Sequence, residues 1–142
     1  MKIFSITILL ICTIFLGACD SASETTGAST ENEGTGSAAA YQKISAEEAY
    51  QMMLDNDDYI LLDVRTEQEF AESHIEGAIL IPHTDITSKA AEYLPDKDAL
   101  ILVYCRRGNR SATAAHTLID IGYSNVYDFG GIEDWPYDTA SK

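Results

Sequence analysis

Ala99-Leu100-Ile101-Leu102-Val103-Tyr104 is the most apolar run downstream of residue 40, and it leads straight into Cys105-Arg106-Arg107-Gly108-Asn109-Arg110-Ser111. Apolar and polar residues do not alternate in it, as expected of a strand covered on both faces and therefore of a parallel sheet. Past the loop, Ala112, Ala115, Leu118 and Ile119 recur at helical spacing up to Gly122. A buried strand, a tight polar loop and a helix, in that order, predict one βα unit of an α/β fold.

The flanking sequence extends the pattern in both directions. Ser45 with Glu48 forms a capping box, and Ala49, Met52 and Met53 follow at helical spacing. Tyr59 to Val64 is a short β-rich run, Thr66 to Ser73 a short helix around Phe70, and Ala78 to Pro82 a second run stopped by proline. Asp85 to Leu94 reads as a helix, Pro95-Asp96-Lys97-Asp98 as a turn, and Asn125 to Phe129 as a last strand. Strands alternating with helices predict a mostly parallel sheet with helices on both faces, and residues 41–142 are enough for one small domain. No internal repeat is visible.

The first 40 residues are of a different kind. Met1-Lys2 supplies a positive start, and residues 3–16 are apolar apart from Ser5, Thr7 and Thr13. That is a secretory leader in outline, too short for a comfortable membrane span. Its ending, Leu16-Gly17-Ala18-Cys19, resembles the bacterial lipobox, which implies cleavage after residue 18 and lipid on Cys19. Asp20 to Ala40 holds only Asp, Ser, Ala, Glu, Thr, Gly and Asn, a composition that cannot bury enough apolar surface to order itself. Residues 19–40 are therefore expected to form a flexible tether, spanning roughly 25 Å as a coil and reaching roughly 70 Å when stretched. The expected location is a bacterial membrane, with the domain on the extracytoplasmic side. Asp20 after the lipidated cysteine would signal inner-membrane retention in a two-membrane host.

Charge and cysteine count narrow the chemistry. Nine basic residues face 23 acidic ones, for a net charge of −14; loss of Lys2 with the leader makes it −15. Such a surface repels nucleic acid and anionic headgroups, so no nucleic-acid partner is expected and membrane attachment should depend on the lipid. Of three cysteines, Cys12 leaves with the leader and Cys19 is lipidated, so Cys105 remains as a lone thiol that cannot form an internal disulfide. It is either a buried inert residue or one kept for reactivity.

Its surroundings favour reactivity. Open parallel sheets bind ligands outside the carboxyl ends of their strands. There a tight loop offers successive N–H groups and the next helix adds its positive N-terminal end. Gly108 supplies a position for left-handed backbone, and Asn109 tolerates it better than most residues. A free thiol titrates near about 8.5, and a helix N-terminus with neighbouring arginines lowers it. Arg106 and Arg107 are candidates for drawing in an anionic substrate, their alternative being a solvated surface pair. Arg110 stands at a helix start, where a cation is unfavourable, so an anion or an acid such as Asp63 is its expected partner. Ser111 either caps the helix or hydrogen-bonds the loop. Cysteine phosphatases also use a Cys-to-Arg loop, one residue longer than the four residues between Cys105 and Arg110 here. The smaller ring suits a single sulfur atom better than a phosphate.

Residues 41–137 resemble a single-domain rhodanese, a thiosulfate or polysulfide sulfurtransferase. The resemblance rests on Leu62-Asp63-Val64-Arg65, on His74-Ile75-Glu76-Gly77-Ala78 leading to Ile81-Pro82, on the Cys105 to Ser111 loop, and on Phe129-Gly130-Gly131 with Trp135. It implies a five-stranded, mostly parallel sheet with helices on both faces, and catalysis through a persulfide on Cys105. Sulfur would come from thiosulfate, polysulfide or another persulfide and pass to a thiol or cyanide, a thioredoxin-like protein being one candidate acceptor. Arg106, Arg107, Gly108, Asn109, Arg110 and Ser111 form the substrate-binding loop, and Asp63 and Arg65 brace it by ion pairing. His74 belongs to the turn into the third strand, although a base for Cys105 is conceivable there; His83 and His116 carry no signal. Trp135 and Tyr137 pack against the sheet or wall the pocket. Ser73 stands where many relatives have glycine. No cofactor is implied, and no spacing suggests a metal site. The alternatives are a carrier module that holds sulfur without turnover and, on the same loop, a rhodanese-related phosphatase or arsenate reductase.

Overall fold

The computed structural model describes residues 41–142; the leader expected at 1–18, Cys19 and the tether expected up to residue 40 lie outside the described residues. Five strands, β1 (Gln42–Lys43), β2 (Tyr59–Asp63), β3 (Ile79–Leu80), β4 (Leu100–Cys105) and β5 (Val126–Gly131), alternate with α1 (Ala46–Asp55), α2 (Glu67–Glu72), α3 (Ile86–Tyr93) and α4 (Asn109–Asp120). The sheet runs β1-β5-β4-β2-β3 and every pairing is parallel. The predicted α/β architecture is therefore present. β4 occupies the middle of the sheet, and Ile101 to Cys105 are all buried.

Strand periodicity sorts β4 into two cores. Ile101, Val103 and Cys105 pack with Ala114, Ala115 and Leu118 of α4 and with Ile86 and Ala90 of α3. Leu102 and Tyr104 point the other way, into a cluster with Ala46 and Ala49 of α1, Phe129 and Trp135. Each fully buried aliphatic side chain contributes about 1.5–3 kcal/mol, so a strand apolar at every position is what a sheet covered on both faces requires. The same alternation puts the Cys105 side chain on the α4 face.

Helix starts are written locally. The Ser45 hydroxyl accepts from the Glu48 N–H and the Glu48 carboxylate from the Ser45 N–H, at 3.1 and 2.7 Å. Thr66 and Glu69 build a second capping box on α2. Ser73, at the position where many rhodanese-like proteins have glycine, adopts extended backbone, φ −166°, which needs no glycine.

The β4–β5 register slips once. Val103 pairs with Asp128 but Tyr104 pairs with Gly130, so Phe129 is an extra residue on β5. The bulge is held by Gly130 in left-handed backbone (φ 92°), whose N–H reaches the Asp128 carboxylate at 2.9 Å. Bulges re-aim the chain that follows them. This one turns Gly131 directly against the loop after β4: a Cβ at 131 would strike the Arg106 carbonyl oxygen and lie 2.8 Å from Arg107 Cα.

Candidate active site

Cys105 is the last residue of β4, and α4 begins four positions later. Gly108, at φ 95°, makes the turn between them and aims its N–H back at the Cys105 sulfur, 3.1 Å away. Asn109 is already helical, so the left-handed step falls on Gly108 alone. The buried Cys105 helps to line a cavity of about 240 Å³ together with Arg106, Arg107, Asn109 and Arg110.

Burial pushes the Cys105 thiol up. The Ser111 hydroxyl and the N–H groups of Ser111, Arg107 and Gly108 act in the opposite direction and prevail, leaving it below its ordinary value. The thiolate is thus favoured by loop and helix N–H groups and a hydroxyl more than by the arginines credited with it from sequence. Ser111 Oγ also lies 2.9 Å from the Gly108 carbonyl oxygen and 3.2 Å from that of Gly130. A hydroxyl has one proton, so it serves the sulfur only when turned from both carbonyls. Fully buried, Ser111 ties the loop to β5, which resolves its two sequence readings in favour of the loop.

Each loop arginine has an acidic partner that the sequence did not reveal. Arg110 does not pair with Asp63. Its two Nη atoms each donate at 2.7 Å to the two oxygens of Glu69, reaching across 41 positions to α2. Asp63 is committed elsewhere: it takes Arg65 Nε at 3.0 Å, Nη2 at 2.6 Å and the Arg65 N–H at 2.9 Å. Arg65 Nη2 donates also to the Ser73 carbonyl at 2.6 Å, so this buried pair locks the end of β2 to the turn before β3. Arg106 and Arg107 converge on one carboxylate, Glu133, through Nε atoms at 2.7 and 2.9 Å. Glu133 belongs to a single 3-10 turn, Ile132–Asp134, directly after β5.

The remaining sequence candidates lie outside the cavity. His74 stacks on Phe70 at 4.0 Å and its Nδ1 donates to the Phe70 carbonyl at 2.8 Å, a structural role in the turn. Trp135 packs on Phe129, and Tyr137 stacks on Tyr50 at 3.9 Å. Trp135, Tyr137 and Tyr50 line a groove of about 550 Å³ that shares no lining residue with the Cys105 cavity. Asp128, buried at the bulge, takes Tyr41 Oη at 2.8 Å and Lys43 Nζ at 3.4 Å; an acid inside the apolar run Val126-Tyr127-Asp128-Phe129 was the available signal for it.

Residues 45–137 match the rhodanese-like domain. The chain belongs to the rhodanese-like family. Among relatives of this rhodanese-like chain, the thiosulfate sulfurtransferase PspE of Escherichia coli is 36% identical over 73 residues, covering 51% of this chain and 70% of its own length. The thiosulfate sulfurtransferase GlpE of Haemophilus influenzae is 35% identical over 107 residues, covering 71% and 98%. A rhodanese-related protein from Thermoplasma volcanium superposes with a TM-score of 0.62 at 31% identity, over 72% of this chain and 100% of that one. These relatives support rhodanese-type sulfurtransferase activity in broad terms.

Proposed function

We propose that this protein is a sulfurtransferase in which the Cys105 thiolate attacks the outer sulfur of thiosulfate, a polysulfide or a persulfide. With thiosulfate, a bond forms between Cys105 Sγ and the outer sulfur, the S–S bond of the donor breaks, and sulfite leaves with the electron pair. Cys105 then carries a persulfide, whose terminal sulfur passes to a thiol or to cyanide, returning the thiolate. The observation that carries this reading is the cradled sulfur: a thiol facing the Gly108 N–H at 3.1 Å, lowered by the Ser111 hydroxyl and the loop N–H groups, in a small cavity lined by three arginines. Nucleophilic sulfur chemistry needs the thiolate, and loop N–H groups can hold a terminal persulfide anion as they hold the thiolate.

Mass measurement of the protein after incubation with thiosulfate tests it. One added sulfur on Cys105, removed by cyanide, is the expected result. Cys105→Ser should show neither the adduct nor turnover, and full activity in that variant would sink the mechanism. Adduct formation without turnover would instead identify a carrier of sulfur.

The leader and lipobox lead us to propose further that lipid on Cys19 holds the protein at a bacterial membrane, with the domain outside the cytoplasm. A thioredoxin-like protein is a fitting acceptor there, since it presents a nucleophilic thiol.

A further inference from the structure

Glu133 stands beside the proposed cavity without lining it, and nothing in its local sequence marks it out. Three constraints set its position. Gly131 lets β5 close against the loop, the Glu133 N–H donates to the Arg106 carbonyl at 3.3 Å, and its carboxylate bridges Arg106 and Arg107. Both arginines are engaged through Nε; among the described residues, their terminal NH2 groups make no protein hydrogen bond. Those groups remain free for a substrate anion, which must approach guanidinium groups whose Nε already faces a carboxylate.

The charge around the mouth is correspondingly low. A neighbouring depression of about 190 Å³ shares Arg106 with the Cys105 cavity and is lined by Glu69, Glu72, Glu133 and Arg65, the last already neutralised by its ion pair with Asp63. Arg106, Arg107 and Arg110 are thus matched by three carboxylates, and two of these, Glu69 and Glu133, pair directly with the arginines. The Arg106, Arg107 and Glu133 side chains are 56%, 69% and 44% exposed, so the clamp is weak enough for an incoming anion to loosen.

Building on the sulfurtransferase reading, we infer that Glu133 is a specificity-determining residue that acts as an internal competing anion and selects against highly charged sulfur donors. Two negative charges on thiosulfate are repelled more strongly by a fixed carboxylate than the single charge of a thiosulfonate. Thiosulfate releases sulfite and the thiosulfonate a sulfinate, but each donor carries its charge both when bound and in the transition state, so repulsion by Glu133 falls on donor binding and leaves kcat level.

The test compares Glu133→Gln with the unmodified protein, using thiosulfate and benzenethiosulfonate as donors and cyanide as acceptor, at low and at moderate salt. In the variant, KM for thiosulfate should fall roughly three- to tenfold at low salt, the size of one lost charge contact in a wet site. kcat should stay level, KM for the monoanion should fall less, and added salt should shrink the difference. Glu133→Asp, which keeps the charge, should retain the original donor ratio, and Glu133→Ala should reproduce the glutamine result. An unchanged or higher thiosulfate KM, or equal shifts for both donors, overturns the inference while the sulfurtransferase reading stands. If the unmodified protein transfers sulfur from neither donor, the function reading itself fails and takes this inference with it.

Discussion

Glu69→Gln separates electrostatic support of the loop from packing. Glu69 caps α2 and holds Arg110 bidentately, and its carboxyl is lowered from 4.5 to about 2. The Arg110 hydrogen bond is the leading cause; burial opposes it, and the Thr66 N–H and hydroxyl add to it. A carboxylate depressed in the folded state contributes stability that is complete above the unfolded value and lost as pH falls through the folded one. Here the window runs from pH 4.5 down to about 2. That difference of about 2.5 corresponds to roughly 3 kcal/mol at about 1.4 kcal/mol per pH unit. The pair keeps 28% and 23% exposure, and solvent screening reduces the figure to about 1–2 kcal/mol. Urea unfolding of both proteins, from pH ~7 to ~2.5, reads it directly. The two proteins differ in one carboxylate, so the difference between the curves reports Glu69 together with its Arg110 partner. The wild type should lead at neutral pH, lose most of a lead of about 1–2 kcal/mol as pH falls through the window, and approach the variant at the acid end. Parallel curves would refute the reasoning and leave the Arg110 pair energetically silent.

Asp63→Asn should cost about 3–5 kcal/mol in the same assay, because it strands the buried Arg65 guanidinium. Adding Arg65→Met should recover part of the loss, and a more severe double variant would argue against an uncompensated charge as the cause. Ser111→Ala should raise the Cys105 thiol by removing one donor. The acid limb of the pH dependence of persulfide formation should then move to higher pH, with activity lost more at acidic than at alkaline pH; an unmoved limb would mean the N–H groups suffice.

What the sequence disclosed follows from how local its causes are. The Ser45 capping box and the stripe of α4 each lie within a few turns of chain and formed as read. The strand read at residues 99–104 formed one residue later, at Leu100–Cys105, so that Cys105 ends it rather than following it. The final strand extended two residues past Phe129 because the bulge adds length that alternation does not register. β1, at two residues, is too short to show a period. The arginine partners were hidden for a different reason. Arg110 to Glu69 and Arg106 to Glu133 close over 41 and 27 positions, and helical or strand spacing says nothing about which acid arrives opposite which base. Asp63 was the natural guess for Arg110 because it ends the adjacent strand. It is taken by Arg65 two residues away, which reaches it first through its own N–H as well as its guanidinium.

The sheet's two borders have a bearing on how this protein behaves in company. An open parallel sheet exposes unpaired N–H and C=O groups along each outer strand, and such rows recruit strands from other molecules. Here each outer strand is two residues long: β1 carries the exposed, charged Lys43, and β3 is followed within two residues by Pro82, which has no N–H to offer. The apolar strands that would template growth, β2 and β4, are kept inside. The domain can therefore be concentrated on a surface, many copies side by side, without its sheets fusing into a common ladder.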